Sequence, residues 1–495
     1  MNKPSERLPA NIPTPVAPHT PTSSLDRLRQ FVETHRKADP LTPQSFADFE
    51  AGVHERLMQV ERDLVGEQLA RYDLDAEAIE INGTVHRRTL RQSQTYMTAA
   101  GQVVVERWLY RDRADKKARC VSPMDLRVGI VGDFWTPRAA QQALWVVVQM
   151  TPKKGEELLE RMGNMAPSQS SLQRLPGLID KRWESDREQL EQALRDGLEV
   201  PEQAASVVVS LDGVLVPMDK EDLAPKDRRK AGRPSRSGKG PSGHREVGCG
   251  TVAFCDCNGE LMRVVRMARA PESKKETLKQ MLTAELGNVL KVRPDLRLVK
   301  LADAARDNWR FLSGPDLPPG YDLVDIFHAS EHLHAALENA HGKGTHKTKS
   351  EHEGLHEVLR DDEMGVDKVI AELEELSQKY PRRKLIAREL AFFKNNKDRM
   401  NYASVKAKGL MIGSGVVEAA CKTLATQRLK QSGMRWSKSG AQAILTPRGW
   451  DQSERFDRAW ALVAATFQAE VTVLANVVPL LQKVPRKPNL GEASQ

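Results

Sequence analysis

Val207-Val208-Val209-Ser210-Leu211-Asp212-Gly213-Val214 is an apolar run broken by a single carboxylate. Its β-branched residues predict a strand. A lone acid in a strand usually sits at an edge or faces solvent. Here apolar residues flank Asp212 on both sides, and a charge buried among them needs a partner or a metal. A second run, Leu296-Arg297-Leu298-Val299-Lys300-Leu301-Ala302-Asp303, ends on another carboxylate. A third acid, Glu418, lies in the helix-like segment Gly413-Ser414-Gly415-Val416-Val417-Glu418-Ala419-Ala420-Cys421-Lys422.

Two strand-borne aspartates and one helix-borne glutamate can hold two Mg²⁺ ions, or Mn²⁺, with oxygen ligands. Such a pair activates a nucleophile and stabilises the leaving oxygen of a phosphodiester. The spacings, 91 residues from Asp212 to Asp303 and 115 from Asp303 to Glu418, leave room for strands and helices between them. Two strands are predicted at 246–257 and 260–267, then a helix from Ser273 to Leu290. The strand ending at Asp303, a short helix through Trp309 and a strand from Tyr321 to Asp325 follow. Three strands, helix, strand, helix, strand is the order of an RNase H-like α/β core. Residues 335–400 are charged and helical, with Leu355, Val358, Leu359, Val366, Ile370 and Leu373 at helical spacing, and predict an all-helical insertion. The Glu418 helix is expected to run to about Gln431, and a final helix to cover 455–482.

Asp307 competes with Asp303, four residues on. Asp303 is preferred because it terminates a strand, where ligand-binding groups of α/β sheets collect. Asp307 falls on the next helix and can serve its N-terminal dipole. Glu418 is out of register for a capping box with Ser414. An exposed Glu418–Lys422 pair is the plain alternative, but Val416, Val417, Ala419 and Ala420 indicate a closely packed turn. Cys249, Cys255 and Cys257 lack zinc-finger spacing and read as core thiols. His328, His332 and His334 lack the HExxH pattern.

The chain of 495 residues has room for roughly three domains. With 40% hydrophobic residues it can bury a substantial core. Its net charge of +8 favours polyanionic partners. Aromatics at 5% favour duplex phosphate binding over base stacking. Five cysteines without a paired framework fit a reducing cytosol, and a cytoplasmic, nucleoid-associated location is expected. The N-terminus lacks a signal peptide's apolar core, and runs such as Ala143 to Val148 are too short to span a bilayer, so no membrane role is expected.

Residues 1–24 are rich in Pro, Ser and Thr and read as a disordered arm. Residues 25–200 form the predicted N-terminal DNA-binding region. Helices cover Leu25 to Tyr72, and a hairpin joins Thr84–Met97 to Val103–Tyr110 through Ala99-Ala100-Gly101. Thr136-Pro137 and Thr151-Pro152 open further helices; Gly163-Asn164 closes the second, and Ser168 or Ser170 caps another that Pro176 would bend. Helix, glycine turn, helix is compatible with a DNA-binding helix-turn-helix, although plain helix pairs vastly outnumber recognition helices. The core then comprises 201–334 and 401–485, split by the insertion, with a flexible tail at 486–495.

Within 218–245, Arg228, Arg229, Lys230, Arg233 and Arg236 are interleaved with Gly, Pro and Ser. This predicts a basic loop directly after the Asp212 strand. Gly232-Arg233-Pro234 resembles the core of minor-groove AT-hook arms. A solvated linker fits as well, but charge beside a candidate phosphate site favours DNA contact.

The Glu418 segment, continuing into Gln427-Arg428-Leu429-Lys430-Gln431-Ser432-Gly433-Met434-Arg435-Trp436-Ser437, closely resembles ISKra-type insertion-sequence transposases, of the Mutator-like class of DDE enzymes. Val299-Lys300-Leu301-Ala302-Asp303-Ala304-Ala305-Arg306-Asp307-Asn308-Trp309 looks like that family's second-aspartate motif, and Leu211-Asp212-Gly213-Val214 like its first. Asp325-Ile326-Phe327-His328 matches the D(2)H signature, and Pro271 to Lys279 also reads as family text. The resemblance covers most of 84–465. It implies a transposase with Asp212, Asp303 and Glu418 as a metal triad and His328 orienting the site or touching the scissile strand. It implies double-stranded DNA as partner, both terminal inverted repeats and target, and a homodimer on that DNA. Lys422, Arg428, Lys430, Arg435 and Trp436 become candidate DNA contacts beside the loop arginines. Many relatives carry N-terminal cysteine pairs suggestive of a zinc module; this chain has Cys120 alone there, so no such module is expected. The alternatives are an inactive transposase-derived regulator, which loss of a triad carboxylate would mark, and a structure-selective nuclease, which would cleave without joining.

Overall fold

The computed structural model describes residues 23–37, 41–115, 117–219, 243–413 and 415–474. The basic loop at 220–242 therefore lies outside the described residues, as do 1–22 and 475–495. The helices Ser24–Arg36 and Pro43–Ala70 start where side chains accept backbone N–H groups, Ser23 from Asp26 and Thr42 from Ser45. The second helix packs Val65 and Leu69 against Tyr96, Val103 and Val105 of a sheet.

That sheet contains β1 (Ala78–Ile81), β2 (Thr84–Thr98) and β3 (Gly101–Asp112). β2 and β3 are the expected hairpin. β1 is additional, joined to β2 by Asn82 (φ 49°) and Gly83 (φ 78°). Both residues are left-handed, as a two-residue hairpin turn needs, and Asn-Gly was the signal for it.

The second sheet contains β4 (Ser206–Pro217), β5 (His244–Cys255), β6 (Leu261–Arg269), β7 (Arg297–Ala302) and β8 (Tyr321–Val324) in the order β6-β5-β4-β7-β8. β4 lies centrally, antiparallel to β5 and parallel to β7; β7 is parallel to β8. The helix Glu276–Val292 covers one face with Leu278, Leu282 and Leu286. Gly250 of β5 allows that approach, since a Cβ there would meet Leu282 at 2.8 Å.

Four helices, Ile326–His341, His346–Asp361, Gly365–Lys379 and Lys384–Asn396, occupy the predicted insertion. The first begins at Ile326, ahead of the expected 335, because Asp325 caps it. Leu337, Leu359, Val369, Leu373 and Phe393 extend the sheet's own core, so these four helices share that core.

The helices Pro137–Gln149, Pro152–Met162, Gln169–Ser185 and Arg187–Arg195 pack with two C-terminal helices, Lys438–Gln452 and Phe456–Ala465. Trp183 and Trp450 meet there with ring centroids 4.5 Å apart. The expected helix over 455–482 is corrected. It ends at Ala465, and β9 (Val471–Val473) pairs antiparallel with β1, Glu80 opposite Thr472. Val471, Thr472 and Val473 are β-branched, and β1 offers them an unpaired edge.

Candidate active site

The register of two parallel strands creates the site. Leu211 of β4 pairs with Ala302 of β7, so the next residues, Asp212 and Asp303, emerge side by side. On its other flank Asp212 faces Cys249 of β5. Asn308 locks the pair of strand ends: its buried amide donates to the Leu211 carbonyl (3.3 Å) and to Asp303 Oδ1 (2.9 Å). The Ala305 backbone N–H also donates to Asp303 Oδ1, at 3.1 Å. Asp307 instead pairs with Arg310 on the exposed side of its helix.

Glu418 rides on the helix Gly415–Ala420, which passes through a π-helical segment, Cys421–Thr426, into Gln427–Leu429. The predicted helix is present, but a wider turn interrupts it. Arg448 holds that turn, its guanidinium donating to the carbonyls of Thr423, Leu424 and Val148. π-bulges leave carbonyls without their usual partners, and a buried guanidinium can supply several donors at once. Cys421 Sγ donates to Asp212 Oδ2 at 3.5 Å, which ties the Glu418 helix to β4.

Charge accumulates here. Burial raises the pKa of Asp212, and the neighbouring Asp303 raises it further. Burial also raises that of Glu418, with Asp325, Glu331 and Asp212 adding to the effect and His328 opposing it. Lys275 acts on Asp212, but its ammonium pairs with Glu246 (2.8 Å) and donates to the Asp212 backbone carbonyl. Hydrogen bonding to Cys249, and then burial, raise the Cys421 pKa, keeping the thiol protonated as a donor.

Asn308 and Cys421 were missed as site residues, and Asp325 entered only as the first residue of the D(2)H signature. Asp325 is 1% exposed, and its carboxylate accepts the Phe327 N–H. Its position at the end of β8 was the available signal. His328 lies one turn into that helix, Nδ1 3.7 Å from Glu331 and Nε2 3.2 Å from His332 Nε2. His332 in turn bonds the buried Glu389 through Nδ1 and stacks on Phe392.

The donor set is all oxygen and strongly anionic, which suits a hard divalent cation. Among the described residues, no three His, Cys, Asp or Glu side chains stand close enough to grip one ion. Asp212 feels the charge of Asp303, and Glu418 feels that of Asp212. Lowering their mutual repulsion is what a cation would do.

The remaining candidates divide. Arg228, Arg229, Lys230, Arg233 and Arg236 lie outside the described residues. Lys422, Lys430 and Arg435 are exposed. Arg428 is corrected: it is 2% exposed and donates to the Val147 carbonyl, with its guanidinium over the Trp436 ring. It closes the C-terminus of Pro137–Gln149 and is withdrawn from any phosphate. Trp436 is half-buried, and its indole N–H donates to Leu429 O at 3.0 Å.

Arg435 and Trp436 line a groove of about 880 Å³ together with Lys153, Gln169, Gln173 and Lys181 from the predicted helix pair. Asp219, the last described residue before the loop, lines it too, its N–H donating to Trp436 O. Arg435, Trp436 and the predicted helix pair therefore line one groove. No protein-family model matches the chain, and no curated protein matches it.

Proposed function

We propose that this chain is a DDE transposase of an insertion sequence, built on an RNase H-like core with a helical insertion, cutting and joining DNA with Mg²⁺ or Mn²⁺. The observation that carries the reading is the Leu211–Ala302 register, which sets Asp212 beside Asp303, with Glu418 tied to the same point through Cys421. The strand order β6-β5-β4-β7-β8 supports the fold assignment.

Asp212, Asp303 and Glu418 would hold the cations. Bound there, divalent cations supply an activated nucleophile and charge stabilisation at the leaving oxygen. The protein's part is placement. Asn308 fixes Asp303, Cys421 fixes Asp212, and Arg448 fixes the helix that presents Glu418. His328 stands beside Glu418 and is suited to orient it or to donate to a strand phosphate. Hydrolysis at the element's end yields a 3′-OH and a 5′-phosphate; the 3′-OH then attacks a target phosphodiester in line and displaces its 3′-oxygen. The groove around Arg435 and Lys181 is the proposed seat of duplex DNA, on which the protein would act as a homodimer in the cytoplasm.

The test is a strand-transfer assay with the DNA that flanks the gene as donor. Cleavage and joining in Mg²⁺, lost in chelator, support a transposase. Cleavage without joining indicates a nuclease, and end binding with neither step indicates a regulator.

A further inference from the structure

A second groove opens beside Asp303, away from the one lined by Arg435. It has a volume of about 760 Å³ and runs from Ala304 and the helix Arg306–Leu312 to the insertion helix Lys384–Asn396. We propose that this groove takes a single strand of DNA continuing past the scissile phosphate. The inference rests on the phosphoryl-transfer reading and adds a surface to it.

Charge comes first. Arg306, Arg310, Arg388 and Arg399 line the groove against one acid, Glu389. Glu389 is 1% exposed and engaged by His332 and Arg388, so Glu389 and Arg388 offset one another and Arg306, Arg310 and Arg399 supply the groove's net charge. The Arg310 side chain is 76% exposed, and its pairing with Asp307 at 3.2 Å is a surface contact of small worth. Arg306 is exposed at the mouth nearest Asp303. A phosphodiester backbone meets guanidinium groups on both walls.

Aromatic surface comes second, and it selects the form of the strand. Phe392 is half-exposed in the wall, and His332 covers one face of it with ring centroids 3.6 Å apart. Arg399 lies 4.5 Å over the ring of the buried Trp309 on the same lining, so there the guanidinium presents the outer face. A cationic groove with aromatic and guanidinium faces is how single strands are held, because unpaired bases need a surface to stack on. A duplex stacks its bases internally and has no use for these faces.

The experiment measures fluorescence anisotropy of a labelled single-stranded oligothymidylate with the full-length protein, in EDTA, across a salt series. Each phosphate contact to a single strand contributes about 0.7 to the slope of log K against log salt. Arg306→Ala combined with Arg310→Ala, both exposed positions, should reduce the slope by about 1.4. Phe392→Leu should weaken binding at least about five-fold with the slope unchanged. Wild-type binding by both variants overturns the proposal, as does weakened binding to duplex with single-strand binding intact. If wild-type protein cleaves DNA while both variants bind the single strand normally, the groove fails and the transposase reading stands. Variant-sensitive strand binding in a protein without metal-dependent cleavage has the opposite meaning.

Discussion

The Cys421 thiol donates to the Asp212 carboxylate at 3.5 Å, so the helix that carries Glu418 is fastened directly to the strand that carries Asp212. Cys421→Ala removes that donor and should cost about 1 kcal/mol in urea unfolding. It should also slow DNA cleavage several-fold through a looser Asp212. Cys421→Ser keeps a donor and should retain more of the rate. Equal rates for the two variants would show that the thiol does not position the carboxylate.

Arg428 and Arg435 sit seven residues apart and should fail in opposite ways. Arg428→Met loses hydrogen bonds from a buried guanidinium to Val147 O and should cost about 1.5–3 kcal/mol of stability, with the salt slope of duplex binding unchanged. Arg435→Ala should leave stability within about 0.5 kcal/mol and lower the slope by about 0.9. Calorimetry and a salt titration of each variant check this pair. A slope change in Arg428→Met with normal stability would restore Arg428 to the DNA surface.

Asp180 provides a pH signature at the edge of the Arg435 groove. Burial, reinforced by Glu184, raises its pKa from 3.8 to about 7, against a hydrogen bond from Thr446. Between those values the folded state holds a proton that the unfolded state has released. Its contribution to stability is full below about pH 4 and declines until about pH 7. Asp180→Asn should flatten that decline and raise the melting temperature relative to wild type above pH 7. A wild-type and variant profile of the same shape would contradict the assignment.

The parts of this fold that were legible share a physical cause. An apolar run broken by an acid announced β4, one ending in an acid announced β7, and two runs joined through Ala99-Ala100-Gly101 announced β2 and β3. Proline after threonine announced the helices at Pro137 and Pro152. What was hidden depends on distant partners. β1 and β9 are four and three residues long and are stabilised by each other. The helix Lys438–Gln452 carries Pro447, and burial against two other layers holds it despite that residue. Arg428 sits among basic and polar neighbours, so nothing local reveals that its partner is a carbonyl at Val147. The three carboxylates were legible in type, and their registration by Asn308, Cys421 and Arg448 was not.

His328 faces the acidic cluster from the helix that Asp325 caps, and His332 and Glu389 back it. His328→Ala should slow strand transfer about 10- to 100-fold, the usual cost of losing a group that orients metal-binding residues. Its melting temperature should change little, because the side chain is a third exposed. A large loss of stability with normal activity per folded molecule would make His328 a packing residue.

The central claim is that Asp212, Asp303 and Glu418 form one two-cation site. Mn²⁺ binding followed by electron paramagnetic resonance reads this without needing the DNA sequence. Wild-type protein should bind two Mn²⁺ ions with the spin–spin coupling of a close pair. Asp212→Asn should abolish the coupling, and Asp303→Asn or Glu418→Gln should each weaken one ion. Uncoupled ions in wild-type protein, or coupling that survives all three substitutions, would contradict the account.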